Sequence, residues 1–330
     1  MSWSSGSGQS SMEFYERNFH TIRPLGHGAY GKVFLAINKQ VAEQARTFFL
    51  ANNDLGRTWL CRRLRSDLVA VKVPSAECEG TNQDLDNEIE FLTLLANGHA
   101  NIIQKAMHAD DGAAQWMSMP FCSGGDLFHF EAAFPAECTA SFTWHVLYQL
   151  SSVLLFLHYG VNDPNKETPA GYKPVVHNDM HHGNIFLRPA SRANNPVGNY
   201  PDVVLADFGL AMQGSTAVIR DGDAPKGQLV EMRRLGRETM ISMTEARNNG
   251  RPFNLRSEIL LAKVYRRLRS PADSSRAYKH GEVFDALQKV VVLAKEERLV
   301  GYAPLSDEAV AYLKDDKVTD RQLLAVFSGG

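Results

Sequence analysis

The run Val176-His177-Asn178-Asp179-Met180-His181-His182-Gly183-Asn184-Ile185-Phe186-Leu187 constrains this chain more than any other stretch. Its apolar ends read as short strands and its polar middle as a loop between them. The loop carries a carboxylate at Asp179 and an amide at Asn184. A carboxylate within hydrogen-bond reach can take the proton of a hydroxyl nucleophile. An amide oxygen is a hard ligand that suits magnesium. Both needs meet in phosphoryl transfer, where positioning and charge neutralisation do most of the catalysis. Taken alone, the run reads equally well as a polar turn between strands, so the flanking chain has to decide.

The 330 residues are 44% hydrophobic, enough for one large or two small domains with a sizeable core. A net charge of −2 argues against a nucleic-acid surface or a polybasic membrane surface. The basic cluster Arg266-Arg267-Leu268-Arg269, after Lys263, reads as a solvated helix face. Cys61, Cys78, Cys122 and Cys138 have neither zinc-ligand spacing nor the density of a disulfide framework. They read as reduced thiols of a soluble intracellular protein. The Ser/Gly-rich start, residues 1–13, reads as a disordered tail and not as a signal peptide, with structure beginning near Phe14. No window reads as long and apolar enough for a membrane span.

Thr21 to Leu25, then Gly26-His27-Gly28-Ala29-Tyr30-Gly31, then Lys32 to Ile37 predict strand, glycine turn, strand. Glycines let a backbone approach a phosphate and present its N–H groups. The β-favouring run after Gly31 fits a hairpin over phosphates, or a plain glycine hairpin, better than a dinucleotide fold. Residues 38–67 read as a polar surface insertion containing one helix near Val41–Leu50. Leu68 to Pro74 is an apolar strand with a single Lys72, either an edge lysine facing water or a buried ammonium that needs an anion. The helix roughly from Gln83 to Asn97 supplies one. Glu88 shares its apolar face with Leu85, Phe91 and Leu92, whereas Glu90 is rotated away.

His99 to Ile103 predicts the start of a strand pair, Gln115 to Met119 a strand, and Pro120 to Leu127 a glycine-containing linker. Phe142 to Tyr159 predicts a core helix. Asp207 ends the apolar run from Asp202 and precedes Phe208-Gly209, which suits either a magnesium ligand or a strand-terminating turn. Helical patterning continues over 229–249, 253–269, 280–300 and 306–327, and no internal repeat is visible.

In this order, Gly26-x-Gly28-x-x-Gly31-x-Val33, Val69-Ala70-Val71-Lys72, Glu88, Gly124-Gly125-Asp126-Leu127, His177-x-Asp179 to Asn184 and Asp207-Phe208-Gly209 resemble the eukaryotic protein kinase family. The resemblance covers residues from about 20 to 240. It implies an α+β, bilobal protein-kinase-like fold: a small β-rich N-lobe over about 14–119, a hinge at 120–125 and a larger α-helical C-lobe over 126–330, with ATP between the lobes. It implies that Gly26, Gly28 and Gly31 cover the phosphates and that Lys72, paired with Glu88, contacts them. Adenine would lie between Val33 and Ala70 on one side and Phe186 on the other. Its hydrogen bonds would go to backbone groups of Pro120 and Cys122, with Met119 as gatekeeper and Asp126 near the ribose. Asp179 would accept the hydroxyl proton, and Asn184 and Asp207 would hold Mg2+. Leu92, His177 and Phe208 would stack into an internal spine.

The departures are informative too. Asn178 stands where the family has an Arg that binds an activation-loop phosphate. His181 stands where serine/threonine kinases have a Lys that neutralises the γ-phosphate; imidazole does so less well unless protonated. His-x-Asp-x-His-x-x-Asn is similar to small-molecule kinases of the aminoglycoside and choline type. No Ala-Pro-Glu motif follows Gly209, and Glu231-Met232-Arg233-Arg234-Leu235-Gly236 resembles the start of the large C-lobe helix after a short activation segment. Such divergent chains resemble kinase-like proteins of filamentous fungi. The expectation is a protein serine/threonine kinase using ATP and Mg2+, with a protein substrate as partner and neither nucleic acid nor membrane. The alternatives are a small-molecule hydroxyl kinase and a nucleotide-binding module without useful catalysis. Oligomeric state is not legible.

Overall fold

β-Branched and aromatic residues concentrate in three early runs, and those runs build three of the sheet's five strands. In the computed structural model, β1 (Phe19–Gly28) and β2 (Gly31–Asn38) form an antiparallel hairpin. β3 (Val69–Val73) pairs with β2 and with β5 (Met117–Pro120), and β5 also pairs with β4 (Met107–His108). The order β1-β2-β3-β5-β4 makes β3 the central strand. The structure describes residues 11–28, 31–49, 53–74, 81–108, 116–190, 197–214, 259–264 and 280–327. It divides into two compact units. The first is Met1–Ala96, Ile103–Phe121 and Asp316–Gly330, and the second is Asn97–Ile102 and Cys122–Asp315. The change of unit after Phe121 falls inside 120–125. The C-terminal segment differs from the expected boundary, because from Asp316 the chain groups with the first unit.

Three expectations for the first unit are corrected. Residues 11–13, read as part of a tail, belong to helix α1 (Ser11–Asn18), so structure is present before Phe14. Tyr15 holds it by stacking on Phe19 and Phe34 and by a 2.6 Å hydroxyl contact with Thr21. The insertion is not a polar excursion. It forms α2 (Lys39–Phe49) and α3 (Asn53–Ser66), whose Ala42, Ala45, Leu60, Cys61 and Leu64 share a core with Leu35 and Ile37. Leu323 of α9 (Asp320–Ala325) completes that core, and Arg65 fixes the join through Asp316 at 3.2 Å and Asp320 at 2.7 Å. Finally, Ile103 starts no strand. Residues 98–101 turn, and Ile102 bridges Leu205 within the second unit. α4 (Thr81–Leu94) covers most of the expected Glu88 helix.

The second unit is built on α6 (Ala140–Tyr159), capped by Thr139 at its start and by left-handed Gly160 at its end. Contrary to the sequence expectation, this helix is long and apolar enough to cross a membrane. However, 78% of its apolar window is buried, which is how a core helix reads. It packs against α7 (His280–Glu297), with Tyr159 and Phe284 rings 4.7 Å apart. α5 (Leu127–Ala133) and α8 (Asp307–Lys314) flank the two-stranded sheet β7 (Ile185–Arg188) and β8 (Asp202–Leu205), while β6 (Val175–Val176) pairs with β9 (Met212–Gln213). Residues 259–264 are helical. The helices expected over 229–249 and the rest of 253–269 lie outside the described residues, as do the Glu231 segment and Cys78. Cys61, Cys122 and Cys138 are buried.

Two histidines in this unit set an acid limit. Burial lowers His99 and His145 from the ordinary imidazole range to about 4. His99 Nδ1 accepts from the Asn101 N–H at 3.1 Å, and His145 Nε2 donates to the Pro201 carbonyl at 2.8 Å. Between pH 6.5 and 4 the unfolded histidines bind protons that the folded ones refuse, so stability falls as pH falls through that window. The expected loss is on the order of 3 kcal/mol per histidine at the acid end. Denaturant titrations at pH 7, 5.5 and 4.5 check this. Replacing His99 with Asn should remove about half of the slope, and an unchanged slope would contradict the assignment.

Candidate active site

In the first unit the sheet settles the lysine question. Lys72 sits on the central strand and is only 6% exposed, so it is no edge lysine. Its Nζ lies 2.6 Å from Oε2 of Glu88, which is 1% exposed on α4. Glu88 is buried with Leu85 and Leu92, whereas Glu90 faces out, as the helical spacing predicted. A buried ammonium and a buried carboxylate are each costly alone and tolerable as a short, charge-assisted pair. Register then gathers the other named residues. Gly26 is opposite Val33, Val33 opposite Lys72, and Ala70 opposite Met119. Cross-strand partners share a face, so Val33, Ala70, Lys72 and Met119 project from one side of the sheet.

The glycines of the hairpin differ in what they do for the fold. Gly31 has φ +132°, and a Cβ there would lie 2.4 Å from the Val73 carbonyl oxygen. At Gly26 a Cβ would meet nothing within 4 Å. Gly31→Ala should therefore cost about 2 kcal/mol or more of stability, while Gly26→Ala should stay within about 0.5 kcal/mol and weaken only nucleotide binding. Parallel melting and nucleotide titrations check the contrast; equal stability losses would contradict it. Gly28 pairs with Gly31, and Ala29 and Tyr30 between them lie outside the described residues.

In the second unit the turn of the opening run is held from several sides. Asn184 Nδ2 donates to the Asp179 backbone carbonyl at 2.9 Å and to its Oδ2 at 3.1 Å. The Asp179 N–H donates to His177 Nδ1 at 3.2 Å, while His177 Nε2 donates to the Ala206 carbonyl at 2.9 Å. His177 also meets the Phe208 ring edge-on, centroids 4.6 Å apart, which joins two of the three expected spine residues; Leu92 belongs to the first unit. Asp207 lies two residues beyond β8 in a left-handed conformation, φ 66° and ψ 69°. The Ala206 N–H donates to the Asn184 carbonyl at 3.0 Å, so the two expected metal ligands stand on neighbouring backbone. Gly124 and Gly125 exchange backbone bonds with Leu187, and Asp126 bridges Phe186, which brings these two expected nucleotide residues together. Burial pushes the Cys122 thiol up to about 12.

His181 is half-exposed beside Asp179, with Nε2 3.5 Å from Oδ2. Its Nδ1 accepts from the Gly183 N–H at 3.1 Å, so the proton of the ring is on Nε2, facing the carboxylate. A Cβ on Gly183 would come within 3.0 Å of that ring. Asn178, also left-handed at φ 65°, donates through Nδ2 to the Leu210 carbonyl at 3.0 Å. It ties the start of the following segment to the turn directly, where an Arg would act through a phosphate. Sequence reasoning missed the buried contact between His182 and Glu131. The signal for it was available: Glu131 stands four residues after Leu127 on an apolar helix face, the same logic that picked Glu88.

Asn184 and Asp207 fit magnesium by chemistry. Both offer hard oxygens, and an amide whose nitrogen is committed to Asp179 keeps its oxygen as its acceptor end. A family model described as protein kinase domain matches residues 54–221, just over half of the chain. The chain belongs to the protein kinase family. This kinase chain is 29% identical over 208 residues to the serine/threonine-protein kinase Nek9 of Xenopus laevis, covering 61% of the chain and 16% of that protein. It is 26% identical over 211 residues to the Aurora kinase of Schizosaccharomyces pombe, covering 63% and 45%. It is 23% identical over 211 residues to the G2-specific protein kinase nim-1 of Neurospora crassa, covering 58% and 21%. The chain therefore spans less than half the length of each of these relatives.

Proposed function

We propose that this kinase transfers the γ-phosphoryl group of ATP to a Ser or Thr hydroxyl of a protein. The observation that carries the reading is the Asp179 carboxylate, held at 3.1 Å by Asn184, whose carbonyl accepts from the Ala206 N–H next to Asp207. Asp179 accepts the proton of the attacking hydroxyl, and Asn184 keeps that carboxylate oriented. Lys72, kept in place by Glu88, binds phosphate oxygens. Asn184 and Asp207 would hold magnesium, which when bound would supply charge neutralisation on the phosphates. One relative, Nek9, is named a serine/threonine-protein kinase, which supports the acceptor class.

One observation favours a second reading. His181 packs on Asp179 where protein kinases place a lysine, as small-molecule kinases do. The test is transfer of label from γ-labelled Mg-ATP in a mixture of proteins, aminoglycosides and choline. Label recovered as phosphoserine or phosphothreonine is the expected result. Label in the small hydroxyl compounds would replace it with the second reading. Nucleotide binding without transfer would make the protein a binding module.

A further inference from the structure

His182 follows His181 in the catalytic turn, but its environment is the opposite. The residue is 6% exposed, and its Nδ1 lies 2.9 Å from Oε2 of Glu131, itself 3% exposed on α5. α5 also meets the chain just after the turn, because Asp126, its N-cap, bridges Phe186. The helix therefore grips residues 182–186 at both of its ends. A carboxylate buried this deeply is costly unless a hydrogen-bonded partner answers it. Facing a carboxylate, Nδ1 carries the proton and donates, which fixes the ring's orientation. The turn so anchored is the 3₁₀ segment His182–Asn184, and its last residue holds Asp179 through two hydrogen bonds.

We propose that Glu131 and His182 form a positioning pair for Asp179. The pair anchors the 182–184 turn to α5 and so keeps Asn184 against the Asp179 backbone carbonyl and carboxylate. Both side chains are buried, and they act through Asn184, not on the reacting groups. The inference rests on the reading of Asp179 as the acceptor of the hydroxyl proton. Displacing a catalytic group by about 1 Å can cost about 10²-fold in rate, so a loosened turn should lower kcat without a matching change in nucleotide affinity.

The test uses the full chain with Glu131→Ala and Glu131→Gln, the second keeping an acceptor oxygen for Nδ1–H. Steady-state ATP turnover, melting temperature and amide hydrogen exchange at Asn184 and Ala206 are measured on each. The expected result for Glu131→Ala is a kcat roughly 10- to 100-fold lower with KM for ATP within about twofold, and faster exchange at those two amides. Glu131→Gln should recover kcat to within about threefold of wild type. Wild-type kcat in Glu131→Ala, or equal losses in both variants, would overturn the proposal. If Glu131→Ala does not fold, His182→Gln takes its place, with the same expected split and the same overturning results. A wild type without turnover would instead remove the kinase reading. Unchanged exchange at Asn184 and Ala206 in the variant would then overturn the pair's role separately.

Discussion

Asp179→Asn lowers phosphoryl transfer by roughly 10²–10⁴-fold, the usual worth of a positioned base, and leaves nucleotide affinity within a few fold. The side chain accepts from Asn184 at 3.1 Å, with His181 Nε2 3.5 Å away, and its backbone N–H is committed to His177. An amide of the same shape fills that place but cannot accept the hydroxyl proton. It also keeps an oxygen that can turn toward the Asn184 amide, so the turn should survive. The check is steady-state turnover beside a nucleotide titration and a melting curve. Undiminished turnover would remove the proton-accepting role from Asp179, and a collapsed melting temperature would recast that role as architectural.

The second large effect is at Lys72. Lys72→Met should abolish transfer, and it should also strand Glu88, a carboxylate buried on α4 whose ammonium partner at 2.6 Å is gone. Breaking a buried pair by removing one member costs about 3–5 kcal/mol. Replacing both members with apolar side chains of similar volume is often neutral. Lys72→Met combined with Glu88→Met should therefore recover most of the stability and none of the transfer. That split separates the two jobs of the pair. If the double variant transfers phosphate, the lysine is needed only for the fold. If the single variant is as stable as wild type, burial of Glu88 carries no stability cost.

Local patterns made part of this site legible. Glu88 was readable because a 3.6-residue period puts it with Leu85 and Leu92, and Lys72 because a lone cation in an apolar strand needs an anion. The order of motifs did the rest for Asp179, Asn184 and Asp207. What failed was long-range. Four arginines made α3 look like solvent-facing chain, although Leu60, Cys61 and Leu64 mark a buried stripe and Arg65 is answered by Asp316 and Asp320 some 250 residues later. No local window shows that the chain from Asp316 belongs with the first unit. α6 shows the reverse limit: its length and apolarity alone do not distinguish a core helix from a membrane span, and only its burial does. Glu131 was passed over because its partner, His182, sits beside the more conspicuous His181.

ADP formation from Mg-ATP, measured without acceptor and with a mixed protein substrate, tests the central claim most directly. The account expects slow turnover by the protein alone and a clear increase on adding protein acceptor. Turnover absent under both conditions, in a sample that binds nucleotide, would contradict it.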